Sequence, residues 1–139
     1  MFDITELNCP KVAVDAVVRL NGTNNLVLIE RKFAPFGMAL PGGFVDYGES
    51  CEIAVTREVK EEMGLRFQIG GQLRSKSDPD RDPRGHIMTI PFWGIAEGEP
   101  KAQDDAKGIY IISRTQVLDE HFAFKDHKDI ILEYIFTTD

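Results

Sequence analysis

A chain of 139 residues that is 42% hydrophobic and 28% charged holds enough apolar material for one compact core, which excludes a disordered polymer. Its net charge of −7 argues against the basic face of a duplex-binding domain, so nucleic acid is not the expected partner; an acidic protein that handles phosphate esters needs cations between itself and its ligand. Cys9 and Cys51 belong to no CxxC pair and read as reduced thiols, residues 1–10 carry acids without the apolar stretch of a signal peptide, and no apolar run approaches the roughly 20 residues that span a bilayer, so the expected location is the cytoplasm, with no membrane partner.

Residues 12–20 are apolar and β-branched and predict a strand, a turn follows at Asn21-Gly22 and Asn24-Asn25, and residues 26–31 (LVLIER) predict a second strand that closes a hairpin. Residues 33–38 (FAPFGM) read as a loop, Pro41-Gly42-Gly43 as a break, and residues 44–46 as a short extended piece. Residues 50–63 predict the clearest helix: Ser50 is a good N-cap, Gly64 stands where a C-terminal glycine belongs, and Val55, Val59 and Met63 form a stripe spaced by four. Strands are expected at 67–75, 86–96 and 108–113, with a turn at 98–103. Pro91 cannot donate to a ladder and predicts an edge position or a bulge. Residues 125–136 close the chain as an amphipathic helix with Ile130, Ile131, Tyr134 and Ile135 inward. With no repeat and no linker, residues 1–139 are expected to form a single domain of the α/β class, with a mixed sheet flanked by helices.

The chemistry concentrates in residues 43–65, GFVDYGESCEIAVTREVKEEMGL. Glu58, Glu61 and Glu62 fall at i, i+3 and i+4 and share one helical face, where they repel one another. A solvated acidic face is the plain explanation; a site for a hard divalent cation is the sharper one, since such ions take carboxylate oxygens and keep waters and substrate phosphates as their other ligands. Gly42-Gly43 before the helix lets backbone carbonyls turn toward that face, and Arg57 can pin Glu49 or a neighbouring glutamate with a bidentate pair.

This stretch resembles the Nudix box: a glycine, five residues, a glutamate, seven residues, then Arg-Glu-aliphatic-x-Glu-Glu-x-Gly-aliphatic, supplied without departure by Gly43, Glu49, Arg57, Glu58, Val59, Glu61, Glu62, Gly64 and Leu65. The flanking ALPGGFVDYGES and the order of elements extend the likeness over nearly the whole chain. The resemblance implies a Nudix-type α/β/α sandwich with a mixed sheet and hydrolysis of a nucleoside diphosphate linked to a second group. It implies Mg²⁺, with Mn²⁺ as a substitute, held by Glu58 and Glu62, with Glu61 as a further or water-mediated ligand and the Gly43 carbonyl completing the site. Arg57 and Glu49 would be its structural partners.

Residues 77–86 read SDPDRDPRGH, in which Arg81 and Arg84 alternate with Asp78, Asp80 and Asp82. Alone this is a polar loop with local ion pairs. It is also similar to the loop that follows the box in Nudix ADP-ribose pyrophosphatases, matching at Arg81, Asp82, Arg84 and His86. That likeness implies ADP-ribose and water giving AMP and ribose 5-phosphate, in a homodimer for which residues 12–20 are a candidate interface. Alternatives are action on nucleoside triphosphates, against which this loop argues, action on another nucleoside diphosphate derivative, and a non-catalytic ADP-ribose sensor, against which the intact box argues. Most aromatics are expected in the core; Phe36 and Tyr47, on the loops that bracket the glutamate helix, are the candidates for contact with the base. Asp104-Asp105 is a surface acid pair or, at Asp105, a water-positioning group or general base, and His121 and His127 read as surface or capping histidines.

Overall fold

The computed structural model describes residues 3–103 and 106–137. The first apolar run forms β1 (Lys11–Leu20), which turns through Gly22 at φ 78° into β2 (Leu26–Arg31) as the expected antiparallel hairpin, with Val18 opposite Val27. Both strands are apolar without alternation because both of their faces are covered. Val14, Ala16 and Val18 join Val27 and Ile29 in one core cluster, while Val17, Leu26 and Leu28 belong to the other.

Helix α1 (Cys51–Met63) packs into the first cluster through Ala54, Val55, Val59 and Met63, and α2 (His127–Thr137) into the second through Ile130, Ile131 and Tyr134. Each fully buried valine, isoleucine or methionine among them contributes about 1.5–3 kcal/mol over its exposed state. The ends of α1 follow the sequence: the Ile53 amide donates to the Ser50 hydroxyl at 3.1 Å, and Gly64 adopts φ 71° and donates to the Lys60 carbonyl. The outcome is the α/β/α sandwich with a mixed sheet that the sequence predicts. Among the described residues, no helix is long and apolar enough to cross a membrane.

The remaining strands are β3 (Met38–Ala39), β4 (Gly42–Phe44), β5 (Arg66–Gln72), β6 (Ile87–Glu97) and β7 (Ala106–Ile112). The sheet runs β3-β2-β1-β6-β5, with β7 on β2 and β4 on β1; β1 and β6 are parallel and the other pairs antiparallel. On its other edge β1 meets two partners in succession, β4 along Ala13–Asp15 and β2 at Val18 and Arg19. The glutamate helix sits over this fork.

Three expectations change or narrow. The glycines at 42 and 43 do not break the sheet but form β4 themselves, opposite Asp15 and Val14. A Cβ on Gly42 would lie 2.1 Å from the Val14 carbonyl oxygen, so the approach is open to glycine alone. Pro91 lies in an interior strand, so of its two expected settings the edge fails and the bulge holds: between the pairs Gln72–Phe92 and Lys76–Thr89, residues 73–75 face residues 90 and 91. The Thr89 amide donates toward the β5 side, to Lys76, and Pro91, two residues on, faces that side opposite the segment 73–75, where the Leu73 amide donates to the Pro91 carbonyl at 2.8 Å and the extra residue interrupts the regular ladder, so no Pro91 donor is required. Finally, β1 is the central strand, with Val14, Val17 and Val18 at 1% exposure or less, and it cannot serve as a subunit interface.

Candidate functional site

Arg57 organises the glutamate wall. Its Nε and Nη2 donate to the two oxygens of Glu49 at 2.7 and 2.9 Å, its Nη1 to Glu58 at 2.7 Å and Glu61 at 3.2 Å, and its Nη2 also to the Phe44 carbonyl at 3.1 Å. These hydrogen bonds hold the Glu49 carboxyl down to about 2, with the Asp46 amide assisting, and the Glu49 and Glu58 bonds push the guanidinium further up. The helix thereby carries a cation within its own acid cluster, which offsets the repulsion that the i, i+3, i+4 spacing would create.

The three glutamates do not converge. Glu61 is turned to Arg57 and solvent, whereas Glu58 and Glu62 line a cavity of about 280 Å³. The main chain of Gly43 lies flat on the Glu58 carboxylate, since a Cβ there would sit 2.6 Å from its carboxyl carbon. The Gly42 amide donates to Glu62 Oε1 at 3.4 Å, and Glu62 Oε2 is buried with no partner among the described residues. Burial pushes the Glu62 carboxyl up, and Glu58 beside it adds to the shift; burial raises Glu58 as well, against the pull of Arg57. Two ionised carboxylates cannot hydrogen-bond each other, so the pair is stable only with a shared proton or a cation between them. Among the described residues no three acids, histidines or cysteines form a ready-made metal cluster. The orphaned oxygen, the carboxylate at its side and the close glycine backbone nevertheless fit a hard cation that also takes oxygens from water and substrate.

The opposite wall comes from the 77–86 loop and from α2. Arg84 donates through Nε and Nη2 to both oxygens of Asp82 at 3.0 and 2.8 Å, and its guanidinium carbon lies 5.5 Å from the Phe44 ring centre and 5.4 Å from that of Phe124. Burial alone would raise the Asp82 carboxyl, but hydrogen bonds from the Arg84 side chain and amide outweigh it and hold it below its ordinary value. Arg81 takes a different place from its expected one. Its side chain is 4% exposed and its fork grips Asp126 at 2.6 and 3.0 Å, with Nη1 donating to the Ile87 carbonyl, so it borders the cavity as a brace and not as an exposed arm. His86 is exposed beside the Ser77 carbonyl, and Phe36 and Tyr47 are 68% and 108% exposed; none of the three lines the cavity, whose aromatics are Phe44 and Phe124. Asp105 lies outside the described residues.

The Nudix domain model matches residues 10–134, and the matched stretch contains this glutamate wall. The chain belongs to the Nudix hydrolase family. It is 45% identical over 129 residues to the ADP-ribose pyrophosphatase of Methanocaldococcus jannaschii, covering 91% of this chain and 73% of that one. It is 36% identical over 102 residues to the 8-oxo-dGTP diphosphatase of Escherichia coli, 67% of this chain and 74% of that one. Among solved structures, a MutT/nudix family protein from Enterococcus faecalis superposes with a TM-score of 0.79 at 32% identity, over 92% of this chain and 61% of that chain, so this chain spans less than two thirds of it. The NUDIX domain of Shewanella oneidensis NrtR, solved with ADP ribose, reaches a TM-score of 0.86 at 24% identity over 99% and 94% of the two chains, a likeness of fold. Nudix hydrolases generally use divalent metal ions.

Two cavity residues of this Nudix hydrolase escape a motif search. Asp15 interrupts the apolar run of β1, a charge inside a strand covered on both faces, and it is 7% exposed. His127, read from sequence as a surface or capping residue, is 2% exposed and lines the cavity. Its signal was periodic: 127, 130, 131 and 134 fall at i, i+3, i+4 and i+7, one face of α2.

Proposed function

We propose that this Nudix hydrolase cleaves the diphosphate of ADP-ribose to AMP and ribose 5-phosphate with Mg²⁺, for which Mn²⁺ substitutes, and that Glu58 and Glu62 hold the ion. The observation that carries the reading is Glu62 Oε2, buried and without a partner among the described residues, beside Glu58 on the wall of the cavity. When bound, the ion supplies charge neutralisation of the diphosphate and acidification of a water. The chain supplies the rest. Arg57 and Glu49 fix the helix face, the Gly43 backbone approaches the carboxylate pair, and Glu61 acts from the rim through Arg57. Arg84, aligned by Asp82 and stacked between Phe44 and Phe124, faces the substrate from the other wall, where its planar fork suits phosphate oxygens. Asp105 remains the candidate for positioning the attacking water. The 45% identity to an ADP-ribose pyrophosphatase supports this substrate.

A second reading, hydrolysis of a nucleoside triphosphate, is favoured by the likeness to an 8-oxo-dGTP diphosphatase. Phosphate release from a panel of diphosphates and triphosphates, with phosphatase coupling and malachite green, separates the two. The first reading expects kcat/KM for ADP-ribose to exceed that for 8-oxo-dGTP, and a reversed order sinks it. The proposal includes a homodimer, built on a surface other than β1; light scattering that shows only monomer at micromolar concentration removes it.

A further inference from the structure

Beneath the glutamate pair lies a buried polar chain that the metal reading does not use. The Leu40 amide donates to His127 Nδ1 at 3.1 Å. His127 Nε2 lies 3.5 Å from Asp15 Oδ2, and the Thr89 hydroxyl donates to that same oxygen at 2.6 Å. Thr89 is 0% exposed, so the chain is sealed from solvent at its far end. A ring nitrogen that accepts a hydrogen bond carries no proton, so the ring proton sits on Nε2, facing Asp15.

The near end of this chain leads to the carboxylates. Leu40 opens the segment Leu40-Pro41-Gly42-Gly43, which is held at successive points. His127 accepts from its first amide, the Ala16 amide donates to the Pro41 carbonyl at 2.9 Å, and the Gly42 amide donates to Glu62 Oε1. The next residue, Gly43, rests on the Glu58 carboxylate, and Asp15 Oδ1 is close enough to Gly42 that a Cβ there would lie 2.6 Å from it. Both glutamates therefore contact a strip of backbone whose entry point is fixed by one histidine on a different helix.

We propose that His127 is a positioning residue: by accepting from the Leu40 amide it sets the 40–43 backbone and, through that backbone, the orientation of Glu58 and Glu62. Asp15 and Thr89 hold the imidazole in the ring orientation and tautomer that this requires. The inference rests on the proposal that Glu58 and Glu62 hold the cation, and the two fail differently.

Two polar replacements, each reproducing one ring nitrogen, separate the contacts. In His127→Asn the side-chain oxygen takes the place of Nδ1 and still accepts from Leu40; in His127→Gln the side-chain amide takes the place of Nε2, keeps the Asp15 contact and loses the Leu40 one. The experiment measures the rise in melting temperature with Mg²⁺ concentration, together with kcat and KM, for wild type, His127→Asn, His127→Gln and His127→Ala. The expected result is that Gln and Ala each weaken Mg²⁺ binding or kcat by about 10- to 100-fold, while Asn retains most of both. Equal Mg²⁺ response and kcat in all four, with only melting temperature lowered, overturns the positioning role and leaves the metal site standing. A wild type with no Mg²⁺-dependent rise overturns both. Should the three variants not fold, ¹⁵N spectra of the wild type decide. An Nε2–H tautomer whose imidazole and Leu40 amide signals move together on Mg²⁺ addition supports the role, and signals that stay fixed overturn it.

Discussion

The two walls of the cavity are built in opposite ways. The glutamate wall is local: Glu49, Arg57, Glu58, Glu61 and Glu62 lie within one helix and its entry, and Arg57 ties Glu49, Glu58 and Glu61 at separations of one to eight residues. The loop wall is assembled across the chain, with Arg81 gripping Asp126 forty-five positions away and the Leu40 amide reaching His127 eighty-seven positions on. A local wall can be read from spacing, while a long-range one needs the fold. The walls should also break differently, the first by losing chemistry and the second by losing structure.

The largest expected effect lies on the glutamate wall. Glu62→Gln or Glu58→Gln keeps shape and removes a ligand charge, and kcat should fall by about three orders of magnitude, since metal electrostatics supply several kcal/mol of the barrier lowering. Melting temperature should hold or rise, because the buried position already favours an uncharged group. Steady-state kinetics beside calorimetry checks both halves.

On the loop wall the expectation reverses. Arg81→Ala leaves Asp126 buried without its partner, a loss of about 3–5 kcal/mol in stability. Its kcat/KM should fall alike on ADP-ribose and on a triphosphate, once the fraction folded is accounted for. Arg84 is 40% exposed and stands between these extremes. A lost charge-assisted contact is worth about 1.5–3 kcal/mol, so Arg84→Ala should cost roughly tenfold to a hundredfold in kcat/KM for ADP-ribose and less for a triphosphate, with little change in denaturation midpoint. An Arg84→Ala that melts early and loses all substrates equally would place this arginine with Arg81.

The smallest effect is a pH dependence, and its sign distinguishes Glu62 from Glu49. Glu62, pushed up to about 9, keeps its proton in the folded chain where the unfolded chain, near 4.5, has lost it. In chelator, stability should therefore decline as pH rises through that window. Glu49, held down to about 2, contributes fully above 4.5 and loses its contribution only as pH falls below that value. Melting curves in chelator should pass through a maximum near the ordinary carboxylate range. Saturating Mg²⁺, which favours the ionised pair, should remove the decline on the alkaline side.

This contrast also explains what was legible in the sequence. The helix, its Ser50 and Gly64 caps, its buried valines and the acid spacing all depend on neighbours within a few turns, and they appear as expected. The hairpin of β1 and β2 does too. Four features were not legible. Gly42 and Gly43 look like a break because nothing near them in sequence shows that they must pass against Val14 and Glu58. Arg81 and Arg84, three residues apart in one loop, look equivalent, and only the position of α2 separates a brace from a cavity residue. Phe36 and Tyr47 flank the glutamate helix in sequence yet point to solvent, while Phe44 and Phe124 reach the cavity from a strand end and from the approach to α2. Pro91 signals an edge or a bulge, and the choice of the bulge was not legible because the extra residue lies in the partner segment, 73–75.

The central claim is that the Glu58–Glu62 wall, loaded with Mg²⁺, hydrolyses ADP-ribose, and ³¹P NMR of the reaction mixture tests it most directly. Wild-type protein with ADP-ribose and Mg²⁺ should convert the diphosphate resonances to two monophosphate signals, AMP and ribose 5-phosphate, and Glu62→Gln should leave the diphosphate intact over the same time. A wild type that leaves ADP-ribose untouched while it consumes 8-oxo-dGTP, or a Glu62→Gln variant that works at the wild-type rate, would contradict it.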